Sequence, residues 1–406
     1  MQRSSVADCL GTRARSGFTL VELLVVIAIL GTLIGLTLPA VHRSRETSRK
    51  LNCLNNVSQL AKAMLHHESA LQHFPSGGWG NTWLGVAERG SGVAQPGGWI
   101  YALLPYVEQR ALFNSVEAAS AGNSDTAYAT LASTPLSVLN CPSRRSSHPI
   151  PLQVVSYRGD EGVAVTLRES TRTDYVANGG SSANCPPLSR LLSSAGAAPQ
   201  NARITFCHRP PGNPENVRTL TLPIQAIING HSQHDEDTLG DCAACDKGVP
   251  LVTNPISLMD GDAWRQENAI EKMMRPDAGA PDFQDGFVHR MSRVVVAHVR
   301  DGLSNTYLVG EKYVMVDAYD APVDEGDAEP MVAGYSGNTI RWGGLSPLQD
   351  AVGVSRPMAF GSAHADTFAM AFGDGRVQAM SFAIDPAVHR ALAARADGSG
   401  IAPPNP

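Results

Sequence analysis

The hydrophobic pattern divides the chain near its start. From Phe18 to Val41, 24 consecutive positions are nearly all apolar. As a helix rising ~1.5 Å per residue they reach roughly 36 Å, enough to cross a ~30 Å hydrocarbon core. One charge interrupts the run. Glu22 sits four residues past its start, where an unpaired carboxylate is costly in lipid. It needs a positive partner, and the nearest candidate is the free α-amino group that a cut before Phe18 creates. Pro39 is expected to kink the helix near one interface, and His42, Arg43, Arg45, Arg49 and Lys50 form a basic collar just beyond it. Leu51, Leu54, Val57, Leu60, Ala61, Met64 and Leu65 then recur mostly at spacings of three or four. That spacing predicts an amphipathic helix with one face to bury, ended by Phe74-Pro75-Ser76-Gly77-Gly78. Residues 18 to about 72 therefore read as one long helix, half in lipid and half packed on a body.

From residue 75 onward the pattern shortens to strands and loops among abundant glycine and proline. Trp99–Asn114 predicts a strand or turn around Leu103-Leu104-Pro105 followed by a short helix. Residues 186–250 read as a loop-heavy insertion, 317–330 as an exposed acidic stretch, and Ala393–Pro406 as a fraying tail. Thr367–Phe372 and Arg376–Phe382 are apolar-rich runs joined through Gly373-Asp374-Gly375, a β-hairpin signal in which Gly375 supplies the positive φ. The expected class is α+β: a long N-terminal transmembrane and amphipathic helix packed on a mainly antiparallel β body with a loop-rich insertion.

With 43% hydrophobic and 17% charged residues, disorder over most of the length is excluded. The formal charge of −6 and the lack of any basic stripe argue against a nucleic-acid partner. Residues 1–17 carry Arg3, Arg13 and Arg15 against Asp8, a formal +2, so losing them takes the chain from −6 to −8. This basic flank places the N-terminus in the cytoplasm and everything past Val41 outside the inner membrane.

Gly17-Phe18-Thr19-Leu20-Val21-Glu22 resembles the cleavage and methylation site of type IV prepilins and type II secretion pseudopilins. The resemblance implies a prepilin peptidase that cuts after Gly17 and methylates Phe18. It also implies that Glu22 neutralises the terminal amine of a neighbouring subunit during assembly. A second resemblance spans most of residues 17–382. Its segments include Leu54-Asn55-Asn56, Leu139-Asn140-Cys141-Pro142-Ser143, Asp174-Tyr175-Val176-Ala177-Asn178, Asp301-Gly302-Leu303-Ser304-Asn305-Thr306, Gly310-Glu311-Lys312 and Phe360-Gly361-Ser362-x-His364. Nine residues separate His364 from Asp374-Gly375. Together these are similar to a large bacterial family that joins a prepilin-type N-terminus to a C-terminal "H-x9-DG" domain. Two stretches depart from its pattern: Ala365-Asp366, where a Pro/Gly-rich turn is expected, and 186–250.

The divisions expected are 1–17 leader, 18–41 transmembrane helix, 42–74 amphipathic stem, 75–382 extracytoplasmic β-rich body with the H-x9-DG hairpin, and 383–406 tail. The function implied is a pseudopilin-like, membrane-anchored or fibre-forming structural protein rather than an enzyme, associated with the cell surface or type II secretion. Its partners are prepilin peptidase, the inner membrane, and itself or other pseudopilin subunits. The alternative is an extracytoplasmic ligand-binding module, for example for polysaccharide, that uses the pilin N-terminus as an export anchor. Trp79, Trp83 and Trp99 are its candidate stacking residues.

No cofactor is expected and no catalytic residue is assigned. In the H-x9-DG motif, Asp374 reads as a turn residue and His364 as a cap or a bond across the sheet edge. The rival reading has His364, Asp366 and Asp374 binding a cation, or Ser362, His364 and Asp374 forming a hydrolytic triad, but no nucleophile elbow surrounds Ser362. Of seven cysteines, Cys9 leaves with the leader, and six remain in a compartment where disulfides persist. Cys53 and Cys141 are the favoured pair among 15 connectivities, closing a loop worth on the order of 4 kcal/mol in the chain-entropy model. His231, His234, Cys242 and Cys245 have the form of a zinc site, though a local disulfide competes. His66 and His67 are expected to face solvent or another subunit.

Overall fold

The computed structural model describes residues 20–116, 124–153, 156–159, 164–181, 203–208, 218–231, 238–239, 285–324, 326–354 and 356–404. The chain divides into two compact units, Met1–Ser48 and Arg49–Pro406. One helix, α1 (Leu20–Leu71, 52 residues), supplies the described part of the first and enters the second. It runs through Pro39 as one assigned helix. It stops at Gln72, which takes a left-handed φ of 62° and whose N–H donates to Glu68 O at 2.7 Å, a terminal turn that a helix cannot continue through.

In the first unit α1 shows apolar side chains on every side: Leu20, Ile27, Ile34 and Leu36 are all more than half exposed. The helix is long enough to cross a membrane and contains an 18-residue stretch apolar enough to do so, with a mean hydropathy of 2.5. In the second unit Cys53, Val57, Leu60, Ala61, Met64 and His67 are buried. Their spacing marks one stripe of a 3.6-residue helix. Leu51, expected on that stripe, is 54% exposed. His67, expected outside, is buried with its Nδ1 2.9 Å from His73 O, whereas His66 is exposed.

The body is built on a five-stranded sheet. Its strands are β1 (Tyr175–Gly180), β2 (Tyr307–Glu311), β3 (Ile340–Trp342), β4 (Thr367–Phe372) and β5 (Val377–Ser381), in spatial order β3-β1-β2-β4-β5. All pairs are antiparallel except β3 on β1, where Ile340 faces Ala177. Alternation along β4 sorts its residues between two cores. Ala369 and Ala371 join the cluster that contains Val57, Leu60 and Met64 of α1. Phe368, Met370 and Phe372 join Leu392 and Ala393 of a helix, α2 (Pro386–Ala393), on the other face. Small residues let α1 approach the sheet, and large aromatics fill the opposite side. The antiparallel hairpin β4–β5 turns at Gly375, φ 86°.

Several expectations are refined or corrected. In residues 99–114 the turn alternative holds, as a 3₁₀ turn Leu104–Tyr106 followed by the short helix Arg110–Asn114, and a further helix Trp99–Leu103 precedes them. The supposed loop insertion carries antiparallel strands Arg203–His208, Arg218–Pro223 and Thr238–Leu239 and a helix Ile224–His231. The acidic stretch is exposed only in part: Asp317 and Asp320 face solvent, whereas Asp324 and Asp327 are buried. Nor is the tail free. Asp385 caps α2 by accepting from Ala387 N and Val388 N, Arg395 donates to Gly286 O, and Gln378 Nε2 donates to Pro404 O.

Candidate functional site

The polar centre of the body forms where α1, the segment after 3₁₀ turn Ser137–Leu139, the end of β2 and the loop before β4 meet. Asn56, one turn past Cys53 on α1, fastens the first two of these. Its Nδ2 donates to Asn140 O at 3.1 Å and to the Tyr175 hydroxyl at 3.2 Å. That brings Cys53 Sγ to 3.0 Å from Cys141 Sγ, both buried thiols. His364 Nε2 lies 3.6 Å from Cys141 Sγ and 3.6 Å from Glu311 Oε1. One donor atom from each of Cys53, Cys141, Glu311 and His364 lies within 4.8 Å of every other, and all four side chains are buried.

The surroundings hold these groups in place. Cys141 N donates to Asp174 Oδ2 at 2.7 Å, and Ala369 N donates to Glu311 Oε2 at 2.7 Å. Burial raises the Glu311 pKa, opposed by His364, the Ala369 N–H, Arg144 and the Ser362 hydroxyl. The Cys141 thiol is pushed up by its hydrogen bond with Cys53 and by burial. Beside the cluster runs a buried chain of ion pairs. Arg144 reaches Asp174 at 3.0 Å and Asp350 at 2.8 Å, Arg145 reaches Asp174 at 2.8 Å and also Asp327, and Lys312 Nζ reaches Asp327 at 2.7 Å. Three cations thus face three carboxylates, so this dry region carries little net charge. The cluster can hold a divalent cation or, by oxidation, join its two sulfurs.

The residues singled out in sequence fare differently. Gly17 and Phe18 lie outside the described residues, and Glu22 stands in the first turn of α1. Cys53 and Cys141 are brought together. His364 is buried with them rather than capping a sheet edge, while Asp366 and Asp374 are exposed. Asp374 acts as a turn residue, its Oδ1 accepting from Arg376 N at 2.9 Å. Ser362 Oγ accepts from the backbone N–H of His364 at 3.2 Å, which is no triad geometry. Trp99 is buried, donating to Thr339 O. Trp79 and Trp83 meet edge to face at 4.9 Å, with Arg89 over one ring and Arg158 over the other. His231 ends the helix Ile224–His231, whereas His234, Cys242 and Cys245 lie outside the described residues. Sequence reading missed Glu311 as a cluster member. The available signal was a Glu-Lys pair closing an otherwise apolar strand.

Two family models match. "Prokaryotic N-terminal methylation motif" covers residues 12–38, and "Protein of unknown function (DUF1559)" covers 42–220 and 252–387, most of the chain. The chain belongs to this family. It is a prepilin-type protein with a DUF1559 (H-x9-DG) body, and its N-terminus is that of a peptidase-processed pilin or pseudopilin. Each of the four clustered residues falls within the DUF1559 match. No curated protein and no solved structure matches the chain.

Proposed function

We propose that this DUF1559 protein is a pseudopilin-like structural subunit. Prepilin peptidase cuts between Gly17 and Phe18 and methylates Phe18. The segment 18–41 holds the product in the inner membrane, 42–74 continues as its stem, and the body lies outside. From the membrane it enters a fibre or stays anchored as part of a surface or type II secretion assembly. The observation that carries this reading is the exposed apolar half of α1 with Glu22 in its first turn. Such a surface has two suitable environments, lipid and the same helix of another subunit, and head-to-tail stacking of copies is an open, filament-forming contact.

Intact-mass and N-terminal analysis of the protein from its native membrane is the test. The expected product begins with N-methylated Phe18. A chain that still begins at Met1 overturns the reading and leaves a plain signal anchor.

A further inference from the structure

We infer that Cys53, Cys141, Glu311 and His364 form a closed four-ligand site for a divalent transition metal, best suited to zinc, that ties α1 to the sheet. The argument starts from distances. In tetrahedral zinc sites, bonds of ~2.3 Å to sulfur and ~2.0–2.1 Å to nitrogen and oxygen set ligand separations of roughly 3.3–3.8 Å. Here the sulfur–imidazole and imidazole–carboxylate separations are both 3.6 Å. The sulfur–sulfur separation is 3.0 Å, far beyond the ~2.05 Å of a disulfide and short of the zinc value by less than 1 Å.

The donor set points the same way. Two thiolates, an imidazole and one carboxylate suit zinc and exclude calcium or magnesium, which take oxygen ligands. Four protein ligands leave no open position, the mark of a structural site. Glu311 carries the second line of evidence. Its side chain is 1% exposed and its Oε1 makes no hydrogen bond. A buried carboxylate oxygen in that state is costly, and a metal ion among the four donors satisfies it. A disulfide accounts for the two cysteines but leaves Glu311 Oε1 with no closer partner than His364 Nε2 at 3.6 Å. The supporting shell is present too: Ala369 N holds the other carboxylate oxygen, and Asp174 holds the Cys141 backbone. An open groove of about 500 Å³ is lined in part by Asn52, Asn140 and Pro142, the chain neighbours of the two cysteines. Binding displaces the two thiol protons to solvent.

The inference does not depend on prepilin processing. Its test uses the whole chain in mild detergent, reduced without oxygen and titrated with Co²⁺. Expected are one equivalent bound, a thiolate-to-cobalt charge-transfer band and ligand-field bands of tetrahedral intensity, all abolished by Zn²⁺. To assign the site, the titration is repeated with Cys9, Cys185, Cys207, Cys242 and Cys245 changed to serine. The band must survive, because only Cys53 and Cys141 can then produce it. In that serine-substituted chain, Glu311→Gln and His364→Gln are each expected to weaken zinc binding at least tenfold. The inference is overturned if the reduced, folded chain gives no thiolate–cobalt band. It falls equally if the two substitutions leave affinity unchanged, or if a native Cys53–Cys141 disulfide proves to be present and its reduction brings no metal uptake.

Discussion

Lys312 illustrates how much charge this body places in its interior. Its ammonium donates to Asp327 Oδ1 at 2.7 Å, Gly326 O at 3.1 Å and Asn338 O at 3.0 Å, a full complement for three protons. Burial nevertheless lowers its pKa to about 8. Burial opposes ionisation of Asp327 as well, but Arg145 and Lys312 hold that carboxylate far below the usual range. Asp327 therefore serves two cations, and the two halves of the arrangement are unequal. Asp327→Asn strands Lys312 and leaves Arg145 with Asp174 alone, and is expected to cost ~3–5 kcal/mol. Lys312→Met leaves Asp327 paired with Arg145 and is expected to cost less. Chemical denaturation of the full chain in detergent checks the order, and a reversed order removes Asp327 from the centre of the network. The Asp-rich run 317–330 reads in sequence as solvated because nothing local shows that Arg145 is waiting for Asp327, 182 positions away.

Among the elements, the hairpin and α1 were the most legible, because their signals are local: a helical stripe, two alternating runs, a glycine at the turn. At Gly375 the positive φ admits glycine readily, and a Cβ there meets Leu65 Cδ1 of α1 at 2.9 Å. Gly375→Ala is expected to cost about 1 kcal/mol, read as a lower melting temperature. No loss at all requires the turn to have another conformation. The pairing of Cys53 with Cys141 was legible, but the parallel placement of β3 and the joining of Glu311 and His364 to that pair were not, since both depend on partners more than 160 positions apart in the chain. Histidine adds a pH dependence. His67 on α1, His289 in the segment before β2, and His389 on α2 are each lowered by burial to about 4. His73 lies beside the first and Asp285 and His298 act on the second, while Tyr307 meets the third at 3.3 Å. Unfolded, each takes up a proton below 6.5; folded, each resists until about 4. Stability is thus expected to fall as pH drops from 6.5 to 4, by up to ~1.4 kcal/mol per pH unit for each histidine. His389→Leu should flatten the melting temperature against pH in that window. An unchanged slope shows that His389 is already protonated in the fold.

At the scale of the whole molecule, the proposed assembly assigns Glu22 a task separate from processing. Glu22→Val is expected to leave the mature Phe18 terminus intact but to abolish self-crosslinking through residues 20–40, since the carboxylate that meets a neighbour's amine is gone. Crosslinking at the original yield removes Glu22 from subunit register. The way α1 enters the body also sets a timetable. Val57, Leu60 and Met64 share their core with Ala369 and Ala371 of β4, so the stem's apolar stripe is made first and the last part of its cover comes nearly at the end. At about 5–20 residues per second, roughly 15–60 s of synthesis separate the two. Throughout that interval the stripe is covered only in part, by early-made residues such as Trp99, Leu103 and Leu139 beside Leu60, and the face that meets β4 stays open until the final strands emerge.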